Sequence, residues 1–346
     1  MLGSRIGGDA ALEPLHERLY CWKYGAEEGG SIYLDELCPY LFEIYQMRSD
    51  WLGKPIQEVF RGAVYLVPPL KLGRHEAFQV QYFRERGLHV PIGDMYALGA
   101  NAPVTLAGGL ALNIAEQIAL RILDWAWFGL QNLHIGGSIS VIDMRTLIYP
   151  YGRPEMAVVN LMLAQMARYY GASFHGHAGL SDAKLPSVES GYQKALTGIP
   201  NLLATGSLWM DAGLLSIDEV CSPVQLLLDA EFLSALQRFT VEFEISDETI
   251  GLETIKAVGP GGSFLDQEHT VRRMRREHWQ PALWSREMLS PWLEGSRALD
   301  VDKARAQALD FRASFQARSA LSEAQERDLQ ALIQRAVAHM EAGVER

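Results

Sequence analysis

From about residue 60 the chain alternates short runs of β-branched and apolar residues with longer stretches whose apolar positions recur every three to four residues. This is the pattern of βα units and a parallel sheet. Residues 63–67 (AVYLV), 89–95 (HVPIGDM), 132–136 (NLHIG), 173–177 (SFHGH) and 201–206 (NLLATG) read as five strands. Helices are predicted over residues 76–86, 103–125, 154–170 and 188–196, with a long one over 217–239 after the fifth strand. Pro103 suits a first helical turn, and Gly171 suits a left-handed cap where the 154–170 helix ends.

Right-handed crossovers between parallel strands leave two economical architectures, an open doubly wound sheet and a closed barrel. The strands lack the GxGxxG turn of dinucleotide-binding sheets, and polar residues crowd several of their carboxyl ends, as in barrel active sites. The expected fold is therefore α/β, a (β/α)8 TIM-type barrel with a C-terminal helical extension. Residues 1–60 offer one helix, around 34–47, and little strand, so the barrel is expected to be incomplete at its N-terminus, with closing units in an absent amino-terminal segment or a second chain. The chain divides into an N-terminal helical or irregular segment (1–60), the βα units (61–245) and C-terminal helices (246–346), the last predicted over 247–257, 267–278 and 301–342. Residues 303–346, rich in Ala, Arg, Glu and Gln, read as a solvated helical hairpin. GPGG at 259–262 lacks a following GK[ST] and succeeds a helix, so it reads as a helix stop.

Composition narrows the function. At 346 residues and 48% apolar content the chain can bury one large core. Forty-two acidic against 31 basic residues give a net charge of −11, which repels phosphate backbones, so no nucleic acid is expected as a partner. Cys21, Cys38 and Cys221 are scattered and form neither a disulfide framework nor a zinc ribbon, which fits a reducing cytoplasm. The start of the chain has no secretory pattern, and no stretch reaches about 18 uncharged apolar residues, so a cytoplasmic protein with no membrane association is expected.

Three segments carry candidate chemistry. In the first, His175, His177, Ser181, Asp182 and Lys184 fall at or just past a strand end. His175 and His177 share a strand face, which raises a His-x-His metal site, but the later histidines sit in predicted helices and supply no further strand-end ligand. A hydrogen-bonded pair in the barrel mouth is the plainer reading, and no metal is assigned. Asp182 serves equally well as a turn or cap residue. In the second segment, Asp143 and Arg145 leave an apolar run together, either as a brace for the loop or as a guanidinium fork for a substrate carboxylate. In the third, Trp209 and Asp211 follow the fifth strand beside glycines. A methylated ammonium cannot donate a hydrogen bond, so aromatic faces and an acid are what hold it, and Tyr96 and Tyr192 could add walls to the same pocket. For any one of these aromatics, ordinary core packing is the competing reading.

Taken in order, PVTLAGGLALNIAEQ (103–117), VIDMRTLIYPYGRPEMA (141–157), HAGLSDAKLPSVESGYQKALTG (177–198), WMDAGLLS (209–216), the ETIGLETIKAVGPGG run (248–262) and LDQEHTVRRMR (265–275) resemble the trimethylamine methyltransferase family. The resemblance spans residues 60–295. It implies a (β/α)8 barrel that takes a methylated amine in its mouth and docks a separate corrinoid protein, whose cobalt(I) receives the methyl group. It implies no tightly bound cofactor in this chain, since the cobalamin belongs to the partner. The family is longer at its amino terminus, in keeping with the missing strands. Some members carry pyrrolysine and act on trimethylamine, whereas others lack it and act on quaternary amines such as betaines. This chain has only standard residues, which favours a quaternary substrate. Under this reading His177, Asp182 and Tyr192 form the catalytic mouth, Trp209 and Asp211 hold the ammonium, Arg145 takes a carboxylate, and Tyr96, Asp143 and His175 complete the pocket. A homo-oligomer is expected. Two rival readings are a metal-dependent barrel hydrolase or lyase using His175 and His177, and a non-catalytic amine-binding or assembly subunit.

Overall fold

The computed structural model describes residues 10–129, 133–316 and 318–344. The chain opens with helices α1 (Glu13–Lys23), α2 (Cys38–Leu52) and the single turn α3 (Ile56–Val59). Sequence reading missed α1. Its face carrying Leu15, Leu19 and Trp22 packs with Leu41, Ile44 and Tyr45 of α2 in the larger of the cores. Arg18, fully buried there, donates to the carbonyls of Pro14 (2.7 Å) and Arg61 (3.3 Å) and pairs with Glu17 at 3.1 Å, which offsets most of the cost of a cation inside.

The parallel layer follows: β1 (Val64–Leu66), α4 (Arg74–Arg84), β2 (Ile92–Leu98), α5 (Leu106–Phe128), β3 (His134–Gly136), β4 (Ser138–Val141), α6 (Pro154–Tyr170) and β5 (Ser173–His175). β1 pairs with β2 from Val64 opposite Ile92, β2 with β4 from Met95 opposite Ser138, and β3 with β5 from His134 opposite Ser173, all parallel. β3 and β4 are one strand interrupted at Gly137, whose φ of +113° suits glycine and whose hypothetical Cβ would lie 1.9 Å from Asp94 Oδ1. The first residue of the predicted NLHIG strand, Asn132, lies outside the described residues.

Alternation along the strands sets the two faces. Tyr96, Leu98, Ile135 and Ile139 point to the helices and meet Val159, Leu163 and Ala167 of α6 in a second core. Tyr65 and Met95 point the other way and are exposed. Helices therefore cover one face of the sheet, as in a section of a barrel wall, and the described residues do not close the wall into eight strands.

The fifth predicted strand is a correction. NLLATG lies inside α7 (Val188–Thr205), which starts on a Ser187–Ser190 capping box and runs through Pro200 to a left-handed Gly206. A short segment built on Leu202, Leu203 and Ala204 does not distinguish a strand from a buried helical turn. Packing of α7 on α6, with Thr197, Asn201 and Leu202 buried, decides it. The predicted 217–239 helix is also shorter. A small antiparallel pair, β6 (Leu214–Leu215) with β7 (Val220–Cys221), precedes α8 (Pro223–Gln237), which is capped by Ser222.

Beyond α8 come α9 (Asp247–Ile250), α10 (Leu252–Val258), α11 (Glu268–Glu277), α12 (Leu289–Glu294), α13 (Asp300–Ser314) and α14 (Glu323–Val344). GPGG does stop a helix, with Gly259 and Gly261 both at positive φ. The final helices are not a solvated hairpin. α13 packs on α8, and α14 buries Leu329, Leu332, Ile333 and Ala336 against α1 and α2, pinned by Lys23 to Glu326 at 2.7 Å. By length and composition α5 is apolar enough to cross a membrane. Its Asn113, Glu116 and Gln117 are nevertheless buried in polar contacts inside this fold.

Candidate active site

The helix-free face of the sheet collects aromatic rings and one carboxylate. β4 contributes Ser138, whose hydroxyl lies 2.7 Å from the phenol of Tyr149 in the loop that follows β4. Tyr149 meets Tyr151 edge to face at 5.4 Å, and Tyr151 lies 6.5 Å from the ring of His177, two residues past β5. On the strand itself His175 packs edge to face on Trp209 at 4.4 Å. Tyr65 of β1 shares this face. Burial pushes the phenols of Tyr149 and Tyr151 up from their ordinary value, and partial desolvation does the same at Tyr65 although much of its side chain is exposed, so all three stay neutral. Glu17 and then Asp211 add to the effect at Tyr65, and Asp218 and then Asp211 do so at Tyr151.

Asp211 is the electrostatic centre. Its Oδ2 and the Nδ1 of His177 are 3.8 Å apart, too far for a hydrogen bond, and both atoms are buried without a hydrogen-bond partner among the described residues. The Asp211 backbone is held at both ends: its N–H donates to Ala178 (2.8 Å), and its carbonyl accepts from the Lys194 ammonium (3.3 Å). Lys194 is almost wholly buried, pairs with Asp229 at 2.9 Å and donates to Gly179 at 2.6 Å. Asp229 in turn accepts from the Gly213 N–H and the Gln225 amide, both at 2.7 Å. This ionic girder ties α7 and α8 to the two loops that carry His177 and Asp211.

The arrangement brings together four of the sequence-predicted residues, His175, His177, Trp209 and Asp211, and distributes the others elsewhere. Asp182 accepts from the N–H groups of Tyr151 (2.7 Å) and Gly152 (2.9 Å), so it positions the tyrosine loop. Tyr192 is 74% exposed on the outside of α7. Asp143 closes a turn on the N–H groups of Arg145 and Thr146 and takes its ion pair from Arg153 at 3.0 Å; the Arg145 side chain is exposed. Tyr96 sits on the helix face, its hydroxyl between the carboxylates of Asp94 and Glu116. Tyr65, Tyr149, Tyr151 and Asp218 were not singled out from sequence. Tyr149 and Tyr151 lie in a loop with no periodicity to mark a face, and only the closeness of two aromatics after a strand end hinted at them.

A loop-borne aromatic cage around an unpaired acid suits a cation without N–H groups, since quadrupole and charge attract it and no donor is required. Residues 48–341 match the model of the trimethylamine methyltransferase (MTTB) family. The chain belongs to that family. A trimethylamine methyltransferase of Desulfitobacterium hafniense (strain DSM 10664 / DCB-2) is 28% identical over 225 residues, 65% of this chain and 45% of that protein. A glycine betaine methyltransferase of Desulfitobacterium hafniense (strain Y51) is 29% identical over 65% of this chain and 47% of its own length. A trimethylamine methyltransferase of Methanosarcina thermophila is 29% identical over 62% of this chain and 44% of its own length. The chain thus spans about half the length of these relatives. Family membership agrees with the ordered sequence motifs, all of which fall inside or across the matched span.

Proposed function

We propose that this member of the trimethylamine methyltransferase family takes part in moving a methyl group from a quaternary or tertiary methylated amine, such as a betaine, to the cobalt(I) of a corrinoid carried by a separate protein. The observation that carries the reading is Asp211: a buried, unpaired carboxylate oxygen beside His177, with Tyr65, Tyr151 and Trp209 on the same face. Relatives named for trimethylamine and for glycine betaine methyl transfer support the substrate class. In the reaction the N–C bond breaks, the methyl carbon bonds to cobalt using the metal's electron pair, and the amine leaves neutral with the pair from the broken bond. This chain's own residues bind and orient: the rings desolvate the cation, Asp211 balances its charge, and alignment supplies the rate. A quaternary nitrogen needs no proton to leave, whereas a tertiary amine must react as its protonated ammonium form to leave neutral; for the quaternary substrate no residue is required as a general acid. The parallel strands are read as part of a (β/α)8 barrel wall, with the site on its inner face.

The test is to mix the protein with a reduced corrinoid protein and a panel of quaternary and tertiary amines, and to follow methylcobalt formation by absorbance. Turnover with at least one amine supports the assignment. Amine binding without methyl transfer in any combination supports instead a binding or assembly subunit. The metal-hydrolase reading has less support, because no group of three or more His, Cys, Asp or Glu among the described residues could hold a metal ion. His175 packs on Trp209, and His177 lies 6.5 Å from the Tyr151 ring and 3.8 Å from the free Asp211 oxygen.

A further inference from the structure

A cavity lies at the opposite, amino-terminal ends of the strands. β2 bonds to β1 with its first residues and to β4 with its last, so below Gly137 it parts from β3 and the sheet opens. The opening is a cavity of about 510 Å³ lined, among others, by Arg84, His89, Arg121, Asp124, His134 and His175. That volume falls in the range of small-molecule sites.

Its charges do not balance. Arg84, with 3% of its side chain exposed, uses one nitrogen, Nη2, for Asp124 (3.0 Å) and for the Val90 carbonyl (3.2 Å). Its Nε and Nη1, and Nη2 of Arg121, are buried with no hydrogen-bond partner among the described residues. Asp124 is the acid that pairs with Arg84, while burial and then the nearby charge of Arg121 act against the charge on Arg84. The histidines do not supply an anion. Burial lowers the pKa of His89, His134 and His175, which keeps their rings neutral and able to donate or accept one hydrogen bond each. An arginine edge left dry and unpaired costs far more than one bound to an oxyanion, and its planar fork matches a carboxylate or phosphate in two parallel bonds.

We propose that this cavity binds a small oxyanion, a carboxylate or phosphate group, on the free edges of Arg84 and Arg121. This cavity shares Tyr65 and His175 with the aromatic cage, but anion binding on its arginines does not depend on methyl transfer. His175 borders both, touching Trp209 on one side and lining the cavity on the other.

The test is calorimetric titration of the purified chain with inorganic phosphate and, separately, with acetate, at ionic strength held constant with chloride. Saturable one-to-one binding of either anion is expected, and the one that binds identifies the ligand class. Arg121→Met should weaken it at least about tenfold, the loss expected for a charged hydrogen bond, while Arg168→Gln, on the exposed side of α6, should leave it unchanged. Arg84→Lys keeps the buried charge and removes the fork, so it too should weaken binding, and circular dichroism confirms that both variants are folded. Absence of saturable binding by both anions, or binding indifferent to Arg121→Met in a folded protein, overturns the proposal.

Discussion

Replacing Lys194 by Met removes the cation from the most deeply buried ion pair among the described residues. Lys194 and Asp229 are 2% and 3% exposed at the side chain and 2.9 Å apart. Met fills most of the volume of the lysine stem, so the cost is electrostatic and not a cavity. Breaking one side of a buried pair typically costs about 3 to 5 kcal/mol, because the remaining charge stays desolvated. Two features bound the loss. Asp229 keeps its bonds from Gly213 and Gln225, and burial already raises its pKa against the pull of Lys194, so without Lys194 it takes up a proton and discharges. Against that, the carbonyls of Gly179 and Asp211 lose their shared donor. We expect about 3 kcal/mol, read as a fall in urea midpoint at constant slope. Lys194→Met combined with Asp229→Leu should be less destabilised than the two single changes summed, by at least about 1 kcal/mol. A single-mutant loss below about 1 kcal/mol, or strict additivity in the double mutant, refutes the reasoning. Because the same ammonium anchors the Asp211 backbone, the folded variant should also bind a methylated amine less tightly than wild type.

Three further outcomes follow from the same geometry. Asp211→Asn removes a full charge from the cage at nearly constant shape; tetramethylammonium binding should weaken about 10- to 100-fold, a loss of roughly 1.4 to 2.8 kcal/mol, as read by calorimetry. Gly137→Ala would drive a methyl group into Asp94 Oδ1 and strain a residue at φ +113°, so a loss of at least about 2 kcal/mol in unfolding free energy is expected. Asp94, 4% exposed, is pushed up to about 7 by burial, with Glu116 adding to the rise and the bonds from Gln117, Tyr96 and Asn113 opposing it. Its folded pKa exceeds its unfolded value, so the folded state holds the extra proton between about pH 4 and 7 and that stabilisation is lost as pH rises through 7. Urea midpoints should therefore fall between pH 5 and pH 8 in wild type, and Asp94→Asn should flatten that part of the slope.

The shared proton around Asp94 also shows where sequence reasoning stops. Tyr96 has one hydroxyl proton and two acidic neighbours, Asp94 on its own strand and Glu116 on α5. Strand alternation places Asp94 and Tyr96 on one face, but which face meets the helix is a matter of packing. Read from the strand end, Tyr96 was a pocket wall; in the fold it belongs to a buried polar layer between sheet and helix. α14 teaches the converse. Its buried positions Leu329, Leu332, Ile333 and Ala336 follow i, i+3, i+4, i+7, a legible amphipathic face that its charged average composition conceals.

What the sequence by itself determined is local. Pro154 and Gly171 bound α6 at the predicted residues, because capping depends on a residue's own backbone preferences and its near neighbours. The parallel α/β character came from alternating β-branched runs and helical periods, and the family from motifs in their order. Tertiary structure alone decided that NLLATG continues a helix, since its apolar side chains suit either state until α6 supplies a partner. It alone turned Asp143 to Arg153 and Asp182 to the tyrosine loop. It also set Asp211, unpaired, beside His177 from a different loop. Electrostatic and aromatic contacts act through space between residues far apart in the chain, and no spacing along the sequence encodes which of them will meet.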